Sequence, residues 1–533
     1  MTKRTESTLW LILLALAALL RFSPITSGLP YIDYVDEGHI LHPAMGILKA
    51  KVFDSTVYTY PPLTSYLVVA AIKAYSPIYR MVHQRELVDD LPTDQELKTS
   101  LGDRYDLITP PEIIWLGRLV VGCLSIGTAI LAGALARLLA GPGAGLLAML
   151  FSSLCPALVS RGSNLALDPT GTFFVIAALY LCQRLRSAAG AAANRALWLS
   201  AASAGIASGL AFAGKFTAGA VFVAVLVTIV TLRITWKTKA TLTVIAGAGL
   251  FLGVFCGVPA AVLHPEVVVG ELHYITTFYQ TIRSEHGYWQ AAMSAGEIGG
   301  PLMMAGLAGM VWMLWNRTTR EVAVSWIAFA ILLFLGFASS SFKPFRNLLP
   351  LVPLLCIASA LLCIWLSEFL KNRGQGAIRA SVIVTALVFV ISFSLGRATV
   401  RHVRWRMQRV DTRVQAIDWL QKHTTKEQTV LGLRETAILP AEWSRVAART
   451  TVVSWFEAAD LLDRERFDYV VAGEFNLRYA PDPNAWSAYL DRWKTLASPL
   501  PVEASFGRAL TPIVPYLWRT NEEHILILKG NAR

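Results

Sequence analysis

"TYPPLTSYLVVAAIKAYSPIYR", residues 59–80, decides how the rest of this chain is threaded. Its uncharged apolar run extends only from Leu63 to Ile72 before Lys73 interrupts it. At ~1.5 Å per residue such a run covers about half of a ~30 Å hydrocarbon core. Residues 63–80 are therefore read as a helix lying in or dipping into the membrane interface, not as a span. Around it stand eleven apolar stretches long enough to span, near 8–22, 113–139, 143–162, 169–186, 196–213, 216–232, 240–262, 297–315, 321–340, 347–368 and 377–396.

Loop charge tests that reading. If 63–80 does not cross, the clusters Arg184/Arg186/Arg195, Arg233/Lys237/Lys239, Arg317/Arg320 and Lys371/Arg373/Arg379 all join the side of Lys3 and Arg4. Positive loops belong in the cytoplasm, and a crossing at 63–80 would put those four clusters opposite the N-terminus. The expected topology has a cytoplasmic N-terminus and an outer C-terminus, in a plasma membrane (the inner membrane of a bacterium). The start, "MTKRTESTLWLILLALAALLRF", has a basic flank but no small-residue cleavage site, so it reads as an uncleaved first span.

Composition agrees. Of 533 residues 54% are hydrophobic and only 16% charged, with a mean hydropathy of +0.49; soluble globular chains are nearer a quarter charged. Much of the Lys and Arg excess behind the formal charge of +12 sits in short loops, where it serves topology and argues against a nucleic-acid partner. All six cysteines (Cys123, Cys155, Cys182, Cys256, Cys356 and Cys363) fall inside apolar runs without metal-ligand spacing, and read as packing residues.

The fold class expected is a polytopic α-helical membrane protein of about eleven spans plus interfacial helices, with a small C-terminal α/β extracytoplasmic domain. The transmembrane domain is residues 1–399, with 23–112 as its first outer loop, and the outer domain is 400–533. In that tail "TRVQAIDWLQKH" is helix-like, with Val414, Ile417, Trp419 and Leu420 on or near one stripe. "QTVLGL", "TTVVSW", "FDYVVAGEF" and "HILILKG" read as short strands.

This topology collects the chemistry-bearing residues on the outer face. In the first loop, "YVDEGHILHP" holds Asp36 and Glu37, either the acidic first turn of a helix or a general base beside a second acid, with His39 as hydrogen-bond partner or ligand. Asp168 in "NLALDPTGTFF" has the pattern of an N-cap followed by proline, a common helix start. Lys215 in "LAFAGKFTAG" interrupts two apolar runs, and a charge at that depth asks for a function. Lys343 and Arg346 in "SSSFKPFRN" sit on the outer side, against the positive-inside trend, and call for an anionic partner such as a phosphate at the membrane surface. Loop 263–296 carries His264, Glu266, His273, Glu285 and His286 among aromatics. That mixture fits a sugar-binding loop; a metal site is the other reading, although no pair has the spacing of a zinc helix motif.

Taken in order, these motifs resemble the membrane glycosyltransferases of the C-type fold, and most nearly glycosyltransferase family thirty-nine, the protein mannosyltransferase and aminoarabinose transferase group. The resemblance is carried by Asp36-Glu37, then Tyr60-Pro61-Pro62-Leu63, then "ALDPTGTFF" with Asp168, and by Arg346-Asn347-Leu348-Leu349-Pro350 leading into a late span. It covers roughly residues 8–370, with a tail like that of bacterial members. It implies a polyprenyl-phosphate-linked sugar donor, inversion at the anomeric carbon, and an acceptor hydroxyl on a lipid, glycan or protein. Asp36 then takes the acceptor proton, while Glu37 and Asp168 orient sugar or acceptor, or hold a metal. Arg346, Lys343 and Lys215 receive the leaving phosphate, and His39, Tyr60, His264, Glu266 and His286 belong to the substrate loops. No cofactor is required by this scheme; a divalent metal is left open, with Glu37, His39 and His264 as its candidate ligands. Two departures stand out: Asn347, where many relatives have tyrosine, and the long charged insertion at 83–112. The competing readings are a transporter or flippase of lipid-linked sugars, which would place charges at mid-bilayer on broken helices, and a non-catalytic membrane scaffold.

Overall fold

The computed structural model describes residues 2–32, 34, 36–51, 58–90, 110–190, 194–281, 298–339, 345–373, 376–433, 436, 438–453, 455–473, 500–506 and 525–530. The chain divides into two compact units. Met1–Thr26, His39–Gln84 and Glu112–Met407 form the first; Ser27–Gly38, Arg85–Pro111 and Gln408–Arg533 form the second.

The first unit is helical, and each of the eleven apolar stretches coincides with helix. In chain order the helices are α1 (Lys3–Phe22), α2 (Asp36–Ala50, which begins in the second unit), α3 (Leu63–His83), α4 (Pro111–Leu154), α5 (Pro156–Gly162), α6 (Leu167–Gly190), α7 (Asn194–Gly214), α8 (Phe222–Thr231), α9 (Trp236–Gly257), α10 (Ala260–Leu263), α11 (Pro265–Thr281), α12 (Gly300–Trp315), α13 (Arg320–Ser339), α14 (Val352–Asn372) and α15 (Ala377–Gln408). Among the described residues seven helices are long and apolar enough to cross a membrane. Helix α3, 21 residues long, is not among them, as the interruption at Lys73 led the sequence to suggest. Neither is α6, whose ends carry Asp168, Arg184 and Arg186.

The stretch at 113–139 and the first part of 143–162, the rest of which is the separate helix α5, form one long helix broken at Ala140–Gly141, where Gly141 has φ 84° ahead of Pro142. Only glycine takes that backbone without strain, and the proline cannot continue the hydrogen-bond ladder behind it. Small residues set the closest packing. A Cβ on Gly205 or Gly209 of α7 would meet the backbone of α9 at 2.0 or 2.3 Å, and one on Gly249 or Gly253 of α9 would meet α7 at 2.4 or 2.3 Å. Two facing glycine pairs spaced four apart thus let the backbones touch, the device by which helices associate where no hydrophobic gain distinguishes partner from lipid. Arg21, fully buried, donates to Ser125 Oγ at 2.7 Å and to the Ser152 and Ser153 carbonyls at the end of α4, which lack helical partners there. All six cysteines are free thiols; Cys123 and Cys256 are exposed on their helices, so only the other four pack as expected.

The tail of the second unit contains α16 (Thr412–His423), β1 (Thr429–Leu433), α17 (Pro440–Trp443), β2 (Arg449–Val453), α18 (Trp455–Arg464), β3 (Tyr469–Gly473), β4 (Val502–Phe506) and β5 (Ile525–Lys529). The strand order is β2-β1-β3-β5-β4, parallel through β2-β1-β3 and antiparallel at β3-β5 and β5-β4. Alternate residues serve opposite faces: Val430, Val471 and Ile527 pack with Ala416, Ile417 and Leu420 of α16, while Leu431, Val470 and Leu528 pack with Ala458 and Phe467. The four expected strands and the expected helix are all present; Val414 and Trp419 are only partly buried. β4, "VEASF", was missed, because its half-exposed alternation is too polar to stand out.

Candidate functional site

The described part of the site within the first unit centres on the first turn of α6. "LDPTGT" starts the helix with Asp168 inside the first turn, not at the cap, and its side chain turns to a lysine. Lys215 Nζ pairs with Asp168 Oδ1 and also donates to Asn347 Oδ1 at 2.9 Å. Glycines make the meeting feasible. A Cβ at Gly171 would meet Lys215 Cβ at 2.9 Å, and one at Gly214 would meet the Thr170 side chain at 2.9 Å. Lys215 itself sits in extended backbone (φ −158°, ψ 119°) between α7 and a 3₁₀ turn at Phe216–Val221, the interruption that its charge predicted.

Asn347 and Arg346 come from another 3₁₀ turn, Phe345–Leu351, leading into α14. Lys215, Arg346 and Arg161 all lie within electrostatic reach of Asp168, so three cations gather round that carboxylate. Asp168 is buried and Lys215, Arg346, Asn347 and Arg161 are partly buried, so their charges act where water screens them weakly. A phosphate oxygen is the natural guest of such a cluster.

Helix α3 adjoins this centre. Thr64 Oγ1 donates to Thr170 Oγ1 at 3.0 Å, tying the start of α3 to the first turn of α6, and Ser65 Oγ donates to the Ile40 carbonyl of α2 at 3.0 Å. Tyr60 and His39 have ring centroids 4.8 Å apart. Beside them Thr59 Oγ1 donates to Glu271 Oε2 of α11 at 2.6 Å. Residues on either side of Lys215 in sequence line an almost wholly apolar cavity of about 530 Å³, with Phe212, Phe222, Val254, Val268, Leu272 and Leu332 among its walls.

Asp36 and Glu37 are the first two residues of α2, and both are buried, at 4% and 0% exposure. The helix-start reading holds: acids in a first turn complement the dipole. Glu37 is locked locally, its N–H donating to the Tyr34 carbonyl at 3.0 Å while its Oε2 accepts the Tyr34 N–H at 3.3 Å. Asp36 and Glu37 belong to the second unit, whereas His39 onward belongs to the first.

Other expected residues fare differently. Lys343 and His286 lie outside the described residues. His264 and Glu266 are largely exposed and 3.7 Å apart, a surface pair of little energetic weight. Among the described residues no group of three or more His, Cys, Asp or Glu side chains has the arrangement of a metal site, so the ligand set Glu37, His39 and His264 gains no support. Sequence reading missed Glu271 and Arg161, and saw Asn347 only as a departure. Arg161, a charge ending an apolar run, was the legible signal; nothing local marks Glu271.

A helical membrane unit with this order of helices, joined to a small mixed sheet, is the architecture of the C-type membrane glycosyltransferases. ArnT from Cupriavidus metallidurans in the apo state superposes with a TM-score of 0.54 at 14% identity, covering 98% of this chain and 98% of that one. The same protein bound to undecaprenyl phosphate gives 0.50 at 14%, over 97% and 98%. The Archaeoglobus fulgidus oligosaccharyltransferase tethered to an acceptor peptide gives 0.54 at 11%, over 98% of this chain and 77% of that one. At these identities the likeness is one of fold. Residues 110–275 match the family model of dolichyl-phosphate-mannose-protein mannosyltransferases, the group to which the sequence motifs pointed, and that stretch contains Asp168 and Lys215. No curated protein matches the chain by sequence.

Proposed function

We propose that the chain is an integral membrane glycosyltransferase that moves a sugar, with inversion, from a polyprenyl-phosphate donor to an acceptor hydroxyl on the outer face of the membrane. The observation that carries this reading is the Asp168–Lys215–Asn347 cluster with Arg346 and Arg161 about it, inside a fold shared with enzymes of that class. The solved relative that holds undecaprenyl phosphate supports the donor class.

The roles follow from the chemistry. Breaking the anomeric C–O bond leaves charge on the phosphate, and fixed cations stabilise that charge best where water is scarce. Lys215 and Arg346 take this role. Asp168 holds the Lys215 ammonium on one side and Asn347 on the other, so Lys215 is oriented before the donor arrives. The acceptor hydroxyl is a poor nucleophile until a carboxylate removes its proton during attack, and Asp36 serves as that base. Glu37, bonded both ways to the Tyr34 backbone, shapes the turn that presents it. The apolar cavity lined by the residues flanking Lys215 suits part of a prenyl chain, since its walls are almost wholly hydrocarbon. Tyr60, His39 and the Thr59–Glu271 pair are the sugar- or acceptor-facing groups of this scheme.

The test offers the purified full chain undecaprenyl-phosphate-linked mannose, glucose and aminoarabinose and follows donor consumption. Turnover of one donor that is abolished in Asp36→Asn and Arg346→Ala supports the reading. A wild-type protein that consumes none of them in native membranes, yet moves a labelled lipid-linked sugar between leaflets, would establish the transporter instead.

A further inference from the structure

We propose that Arg413, acting through Tyr31, is a positioning residue for the acids at the start of α2, so that the tail of the chain sets the rate of the reaction on which this inference rests. The first outer loop is not a free connection. Its segment Ser27–Gly38 clusters with the tail, in the second unit. Tyr31 and Ile32 are buried at 2% and 4% exposure. The Arg413 guanidinium carbon stands 3.8 Å from the centre of the Tyr31 ring, and the Tyr31 hydroxyl accepts the Leu439 N–H at 3.3 Å.

The cation in this stack cannot wander. Arg413 is fully buried, and it donates through Nε and Nη2 to the two carboxylate oxygens of Asp411, each at 2.8 Å. Asp411 is in turn fixed as the N-cap of α16, accepting the Arg413 N–H at 2.9 Å. Burial pushes the Tyr31 phenol above its ordinary value, so the ring stays neutral and keeps its hydroxyl. Tyr31 stands five residues before Asp36 in the sequence. The Tyr31 N–H closes a turn on the Gly28 carbonyl at 2.9 Å, with Gly28 at φ 74°. Three residues on, Tyr34 exchanges two hydrogen bonds with Glu37, and Asp36 lies between them in sequence.

Asp411 caps α16, and the same carboxylate holds the cation that stacks on Tyr31. Burying an ion pair costs desolvation that well-packed apolar side chains avoid, so such a pair is a poor way to gain stability and a good way to fix one geometry. What it fixes is the Tyr31 ring, in the same unit as Asp36. The second unit would then act on the reaction by holding the base in register with the acceptor, and a base displaced by about 1 Å loses rate steeply.

The experiment uses the full chain in detergent with whichever of the three undecaprenyl-phosphate sugars the wild type consumes. Tyr31→Leu and Arg413→Met are expected to lower kcat tenfold or more while leaving KM for the donor within about twofold. Tyr31→Phe, which keeps the stacked ring, should retain most of the rate. Amide hydrogen exchange over residues 36–40 should quicken in Tyr31→Leu, with α16 and β1 unchanged. Tyr31→Leu is the decisive variant, because it leaves the Asp411–Arg413 pair in place should Arg413→Met fail to fold. Wild-type kcat in Tyr31→Leu, beside an inactive Asp36→Asn, overturns this inference and leaves the proposed function standing. Activity lost together with faster exchange throughout α16 and β1 overturns it in favour of a merely structural role. A fully active Asp36→Asn overturns the base assignment, and this inference with it.

Discussion

Helices α2 and α6 begin alike and end up in different company. Each has an acid in its first turn, each acid is buried, and each sequence pattern reads equally well as a helix start. At α6 the acid faces Lys215, with Arg346 and Arg161 within electrostatic reach, the cluster proposed to receive the phosphate. At α2 the described bonds of Glu37 run to its own backbone neighbour, and the segment before it is clamped by Tyr31 and Arg413. The difference teaches that the same local motif can meet different partners, so that the proposed roles diverge: at α6 orienting a cation, at α2 presenting a carboxylate.

That contrast can be broken or sharpened by substitution. The largest effect is expected from Asp36→Asn, which keeps the size of the side chain and removes its basicity. Loss of a general base costs about 10²–10⁴ in kcat, and turnover at the wild-type rate would remove Asp36 from the mechanism. Next comes Arg346→Ala, expected to lower kcat about 10²–10³ through lost stabilisation of the leaving phosphate. An unchanged kcat with only KM raised would make Arg346 a binding group.

Asn347→Leu is expected to cost about tenfold in rate, since Lys215 loses one hydrogen bond to a neutral acceptor but keeps Asp168. Lys215→Met should reduce thermal stability as well as rate, because it leaves Asp168 buried without its lysine. Adding Asp168→Asn should restore the melting temperature and not the turnover, a split that separates the pair's structural role from its chemical one. The smallest effect is expected at the cavity. Val268→Trp should raise KM several-fold for an undecaprenyl donor and leave a farnesyl-phosphate donor unaffected, and equal sensitivity of the two would place the prenyl chain elsewhere.

How much of this was legible depends on how local the signal was. The helices were readable because apolar length is a local property that the bilayer enforces, and the short run at Leu63–Ile72 separated α3 from the spans for the same reason. In the tail, β1, β2, β3 and β5 were readable from dense β-branched runs, whereas β4 shows too little apolar character to be told from a loop. Asp168 and Lys215 could each be singled out, as charges out of place among apolar residues. Their pairing could not, for it joins residues 47 apart in sequence, and Asn347 lies 132 from Lys215. Glu271 had no signal at all, since a glutamate on a helix is ordinary until Thr59 is found against it.

The amino-acid sequence by itself determined the class of this protein: a chain of apolar helices with a mixed α/β tail, its unusual charges set at helix starts and turns. Those features follow from hydrophobic length and period, which each segment carries alone. The tertiary structure decided which charge meets which. It brought Lys215 to Asp168 and Asn347 by way of glycines that allow two helix ends to touch, and it set Arg413 on the face of Tyr31. Such partnerships depend on distances between parts of the chain far apart in sequence, and only packing sets those distances.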